Sequence, residues 1–167
     1  MPESQVVTRE NASERLFTRI VVVSEPGRNG AAALACATAL AATSSSQLTI
    51  VATAPQTATH CRSCGGVSPQ AYNRAVCDEV AQDLQRATTR LDLDADDMNL
   101  KLLIEGADPP LANWIAQGEF DLVLLPARRS GLHFRSHPTA RLLRDITGAD
   151  VHVVRAPGRH SPSRAKA

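Results

Sequence analysis

The chain of 167 residues carries three groups whose residue types and spacing could do chemistry. The first is His60-Cys61-Arg62-Ser63-Cys64-Gly65-Gly66. Two thiolates at C-x2-C spacing can bind one metal, and the glycines let backbone amides turn toward sulfur, as in a zinc knuckle. A closed Zn2+ site needs four ligands, and the chain has no second C-x2-C. His60 and Cys77 could complete the set, since Cys77 falls inside the helix expected to follow. Two copies could instead share one metal across a two-fold axis. The same spacing can also lower a thiol pKa and make a redox pair, although here the cysteines precede the helix by several residues. A loop with unliganded cysteines is the third reading, and all three stay open. Cys36, inside an earlier helical stretch, reads as a small packing residue.

The second group is basic. Arg128, Arg129, Arg135, Arg141 and Arg144 accompany His133 and His137 within one stretch. Guanidinium groups hold phosphate or carboxylate through forked donors. The competing reading is a solvated basic loop. The third group is a set of hydroxyls and acids near the ends of apolar runs: Ser24, Glu25, Thr53 and Thr139. No histidine stands at a nucleophile-activating spacing and no G-x-S-x-G elbow occurs. No catalytic set is therefore expected, and the chain reads as a ligand-binding or regulatory module. The aspartates between Asp92 and Asp97 lack the glycine and terminal glutamate of a calcium loop.

These groups need elements to position them. Ile20-Val21-Val22-Val23 is a dense β-branched run, suited to a strand covered on both faces. Ala31 to Thr43 is strongly helix-forming, with Leu34, Ala37, Leu40 and Ala41 on one stripe. Leu48 to Ala52 is the next strand. Ser68-Pro69 starts a helix with a capping hydroxyl and proline at its first position. That helix extends to about Leu91, with Ala75, Val76, Val80, Leu84 and Ala87 inward. Leu100 to Ile104 is a third strand, and Asp108-Pro109-Pro110 opens another helix by the same logic. Trp114 on that helix is expected in the core. Phe120 to Leu125 is a fourth strand, Pro138 to Thr147 a short helix, and Val151 to Val154 a fifth strand.

The alternation predicts an α/β domain: a five-stranded parallel sheet with helices on both faces. Ligands in such sheets bind beyond the carboxyl ends of the strands, where the winding reverses. That rule selects 24–30, 52–55, 105–108 and 126–139. Residues 1–17 read as a flexible N-terminal segment, 18–157 as the domain and 158–167 as a disordered basic tail.

Composition narrows the function classes. Hydrophobic residues make up 43%, charged residues 21% and aromatics 3%, with a formal net charge of +1. Such a balance gives no general attraction to nucleic acid or anionic lipid, and so few rings offer no base-stacking platform. No run approaches the roughly 18 apolar residues of a membrane span. The polar N-terminus lacks a signal core, so a cytoplasmic setting with reduced thiols is expected.

The stretches RIVVVSEPG, ALACATALAATSSSQLTIVATA, IEGADPPLANWI and FDLVLLPARRSGLHFRSHPTARLLRDITGADVHVVR together resemble the universal stress protein family. The likeness covers roughly residues 18 to 156. It implies an adenine nucleotide alpha hydrolase-like sheet with strand order 3-2-1-4-5, and a role in stress response or regulation. It also implies a homodimer paired through the last strand, Val151 to Val154, with an unknown regulatory partner. Nucleotide-binding members of the family carry a glycine loop, G-x2-G-x9-G-S/T, after the fourth strand. Its glycines let backbone amides close on phosphate. This chain has Pro126 and Arg129 at the first two glycine positions, keeps Gly131 nearby, and has His137-Pro138-Thr139 at the close. Glu25 replaces the family's first-strand aspartate. ATP held in the family's glycine-loop manner is therefore not expected. The candidate residues for ATP or AMP held otherwise, for another nucleotide or for an anion are Ser24, Glu25, Thr53, Gly106, Arg128, Arg129, Gly131 and Thr139.

Overall fold

The computed structural model describes residues 17–56, 67–91, 98–128 and 138–158. Five strands and four helices alternate. They are β1 (Arg19–Val23), α1 (Arg28–Ser44), β2 (Gln47–Ala54), α2 (Pro69–Thr88), β3 (Met98–Ile104), α3 (Leu111–Gln117), β4 (Leu122–Pro126), α4 (Pro138–Ile146) and β5 (Asp150–Val154). All pairings are parallel, in the order β3-β2-β1-β4-β5. This is the expected order.

Burial follows from strand position. Every residue of β4 is buried, as are Ile20 to Val23 of β1, because central strands of a parallel sheet are covered on both faces. Side chains alternate between those faces. Ile20, Val22, Leu48, Ile50, Leu122 and Leu124 meet α1 and α2. Val21, Val23, Val51, Val123 and Leu125 meet α3 and α4. Ala33, Ala37 and Ala41 repeat every fourth residue and are buried, which lets α1 lie close to the sheet. Each fully buried Val, Leu or Ile contributes about 1.5–3 kcal/mol of transfer free energy.

Three local expectations change. Ala75 of α2 is exposed, and only Leu84 and Thr88 of that helix are buried. The helix lies over β2 and the edge strand β3, and its leading half meets little of the core. Asp108 does not cap α3. Pro110 occupies the N-cap position, and the Asp108 carboxylate accepts from the Ile104 N–H at 2.7 Å. The reason lies in the two prolines: Pro110 keeps Pro109 out of the helical region, so the helix starts later. Phe120 stands before β4 rather than in it. It packs on the half-buried Trp114 with centroids 5.6 Å apart.

The amino-terminal ends of β1 and β4 are clamped by Asp121. Its carboxylate accepts from the Thr18 N–H at 2.8 Å, the Thr18 hydroxyl at 2.6 Å and the Arg19 N–H at 2.9 Å. The Thr18 hydroxyl first, then the two amides, hold this carboxyl below its ordinary value. A lowered folded pKa means the contribution is complete above the ordinary value of 3.8 and is lost as pH falls through the folded value. The site is exposed, so the effect is small. Asp121→Ala should cost about 1 kcal/mol in urea unfolding at neutral pH. The gap between wild type and variant should close in acid. A gap that persists unchanged in acid would contradict the clamp.

Candidate functional site

The winding reverses between β1 and β4, so their carboxyl ends define the crevice where α/β sheets take ligands. Among the candidate residues, Ser24 and Glu25 follow β1, and both are half-buried. The Ser24 N–H donates to the Val51 carbonyl at 2.7 Å, which carries the β1–β2 pairing one residue past the strand. Gly30 packs directly on this turn. A Cβ at Gly30 would lie 1.7 Å from the Glu25 carbonyl oxygen. Only glycine lets the first turn of α1 sit this close, and that contact fixes where Glu25 stands.

Along the same sheet edge, a cavity of about 370 Å³ opens at the ends of β2 and β3. Thr53, Ile104, Glu105, Gly106, Asp108 and Pro110 line it. Its floor is a tight turn. The Ala107 and Asp108 N–H groups donate to the Ile104 carbonyl at 3.1 and 2.8 Å, and the Glu105 N–H to the Ala54 carbonyl at 3.0 Å. Gly106 takes φ +83, a conformation that L side chains rarely adopt. Thr53, Glu105 and Asp108 are the polar side chains that line this cavity, with one Asp108 oxygen held by the Ile104 N–H.

Arg128 is exposed two residues beyond β4, and Thr139 is half-buried in the first turn of α4. The structure thus puts Thr53 and Gly106 in one cavity. It sets Ser24, Glu25, Arg128 and Thr139 on the same carboxyl rim, outside the lining of that cavity. Arg129 and Gly131 lie outside the described residues, as do His60, Cys61 and Cys64. Cys77 is a free, half-buried thiol on α2. Among the described residues, no group of three or more His, Cys, Asp or Glu side chains is placed to hold a metal. No helix among them is long and apolar enough to cross a membrane.

Asn29 was not singled out from the sequence. Its side-chain amide donates to the Ala127 carbonyl, and its side-chain oxygen accepts from the Ala156 N–H at 3.0 Å. Glu105 and Asp108 lie in a stretch that the strand-end rule selects, but their separate roles emerge only from the folded turn. An Asx residue ahead of two prolines was the available signal for Asp108.

A five-stranded parallel sheet of this order with flanking helices is the fold of the universal stress proteins. No protein-family model and no curated protein matches the sequence. Solved structures do match. The universal stress protein UspA from Lactobacillus plantarum has a TM-score of 0.59 at 21% identity, covering 83% of this chain and 98% of that one. A universal stress family protein from Burkholderia pseudomallei has a TM-score of 0.58 at 17% identity, with coverages of 84% and 97%. The universal stress protein from Archaeoglobus fulgidus, solved in complex with dAMP, has a TM-score of 0.51 at 15% identity, with coverages of 83% and 98%. At these identities the likeness is one of fold.

Proposed function

We propose that this chain is a regulatory domain of the universal stress type, acting in the cytoplasm. In this reading it binds a nucleotide or another phosphate-bearing ligand on its carboxyl rim without the glycine cradle. The observation that carries the reading is the cavity at the ends of β2 and β3, which holds Thr53 and Gly106 on the same rim as Arg128. Its polar side chains include carboxylates, which favour hydroxyl and amino donors over phosphate. The arginine at the β4 end favours the anion. The charge pattern would orient a nucleotide with its phosphate toward β4. Pro126 ends β4 and is buried, and as a proline it has no backbone N–H to offer a phosphate. The dAMP complex of a protein with this fold supports the ligand class.

A thermal-shift series with AMP, ATP, a cyclic nucleotide and inorganic phosphate tests the reading. A ligand at a hundredfold excess over its Kd adds about 2.7 kcal/mol of stability. At least one of the four should raise the melting temperature, and Arg128→Ala should reduce that rise for phosphate-bearing ligands. No rise with any of them would end the proposal.

The same reading includes a homodimer through β5. That strand is one edge of the sheet. Val153 on it is 39% exposed, and on α4, which packs against it, Leu142 and Ile146 are 48% and 43% exposed. An apolar free edge of this kind needs cover. Light scattering should find a dimer that Val153→Lys dissociates. A monomer at every concentration would remove this part.

A further inference from the structure

The chain does not leave the sheet freely after β5. The Ala127 N–H donates to the Val154 carbonyl at 2.7 Å, continuing the β4–β5 pairing. The next residues then return over the first turn of α1. There the Asn29 amide donates to the Ala127 carbonyl, and its oxygen accepts from the Ala156 N–H at 3.0 Å. The neighbouring Arg28 guanidinium donates to the Pro157 carbonyl at 3.0 Å. One carboxamide therefore joins the end of β4 to the segment after β5. Asparagine suits this place because it presents one donor and one acceptor side by side. Aspartate could still accept from Ala156, but it would set an oxygen against the Ala127 carbonyl.

The bond to Ala127 also sets the next peptide. In a trans peptide the C=O and the following N–H point in opposite directions, and the described residues contain no cis bond. With its carbonyl drawn toward Asn29, the Ala127–Arg128 peptide aims the Arg128 N–H away from α1. That amide is the next backbone donor after the Ala127 N–H, which the Val154 carbonyl already holds.

We propose that Arg28 and Asn29 form a latch through which the docked segment 155–158 fixes the orientation of the Ala127–Arg128 peptide. Asn29 is a positioning residue in this device. Docking of the segment and order at the β4 exit are one coupled equilibrium, and the coupling is reciprocal. Its effect on anion binding rests on the function proposed above, whereas the coupling itself does not.

Amide-resolved hydrogen exchange on the full chain, without ligand, tests the latch. Among the described residues, the Arg28 side chain hydrogen-bonds the Pro157 end of the segment. In Arg28→Ala, protection should fall at Ala156 and also at Ala127, each by roughly tenfold or less, as expected for loss of one net hydrogen bond. In Asn29→Asp, Ala127 should lose protection while Ala156 keeps most of its own. If Arg28→Ala loosens Ala156 and leaves Ala127 unchanged, the latch is overturned. The same holds if Asn29→Asp leaves Ala127 as protected as in wild type. Titration with inorganic phosphate then separates the two proposals. If phosphate fails to bind wild type, the anion reading falls and the exchange data still decide the latch.

Discussion

Gly30→Ala should lower the stability of the domain by about 3 kcal/mol, the upper part of the range for overpacking a tight interior. The new Cβ would sit 1.7 Å from the Glu25 carbonyl oxygen and 2.8 Å from its carbonyl carbon. No rotamer relieves this contact, because Cβ is fixed by the backbone and its neighbour is backbone. Either the first turn of α1 retreats from the sheet or the turn after β1 moves. The greater helix propensity of alanine offsets about 1 kcal/mol at most. For a domain of this size the melting temperature should fall by roughly 10 °C. The damage should also reach function, since the displaced turn carries Ser24 and Glu25. Gly148→Ala is the control. A Cβ there meets no atom within 4 Å, so that variant should stay within about 0.5 kcal/mol of wild type. Urea unfolding of both variants reads the difference. Equal stabilities would mean that α1 does not sit where the structure puts it.

Leu143→Ala should cost about 2–5 kcal/mol, the range for truncating a buried leucine. Leu143 is fully buried, and Ala140 is buried on the same face of α4. A helix of nine residues has no stability of its own in water. It stays in place through that leucine, with support from the Arg144 guanidinium, which donates to the Val151 carbonyl at 2.8 Å. Truncation should therefore loosen α4 as well as open a cavity, and Thr139 moves with the helix. Leu142→Ala, one position away, is a sharp comparison. Leu142 is 48% exposed, and its truncation should change monomer stability by about 0.5 kcal/mol or less. If both variants lose equal stability, the assignment of the buried face of α4 is wrong.

The strands were legible because a central parallel strand writes its burial into sequence. Ile20 to Val23 and Leu122 to Leu125 have no polar alternation to confuse them, and both proved to be covered on two faces. The Ser68 cap was legible for a similar local reason: its hydroxyl accepts from the Ala71 N–H at 3.2 Å. Thr53 and Gly106 were singled out because ligands of α/β sheets bind at strand ends, and both line the cavity there. What escaped depends on contacts distant in sequence. Asn29 reads locally as an ordinary first-turn residue. Its partners are 98 and 127 residues away, and no periodicity encodes them. The exposure of Ala75 escaped for a related reason, since a helical stripe shows which side is apolar but not how far the sheet extends beneath it. The cysteine cluster of His60, Cys61 and Cys64 lies outside the described residues, so its three readings stand as the sequence left them.

The central claim is that the carboxyl rim of this sheet binds a phosphate-bearing ligand through Arg128 and the β2–β3 cavity. Amide and side-chain NMR shifts measured during titration with AMP test it most directly. The account predicts saturable changes at Thr53, Glu105, Gly106 and Arg128, with the amino-terminal end of the sheet around Asp121 unmoved. Saturating AMP that leaves those four residues unchanged, or that shifts only residues elsewhere, would contradict it.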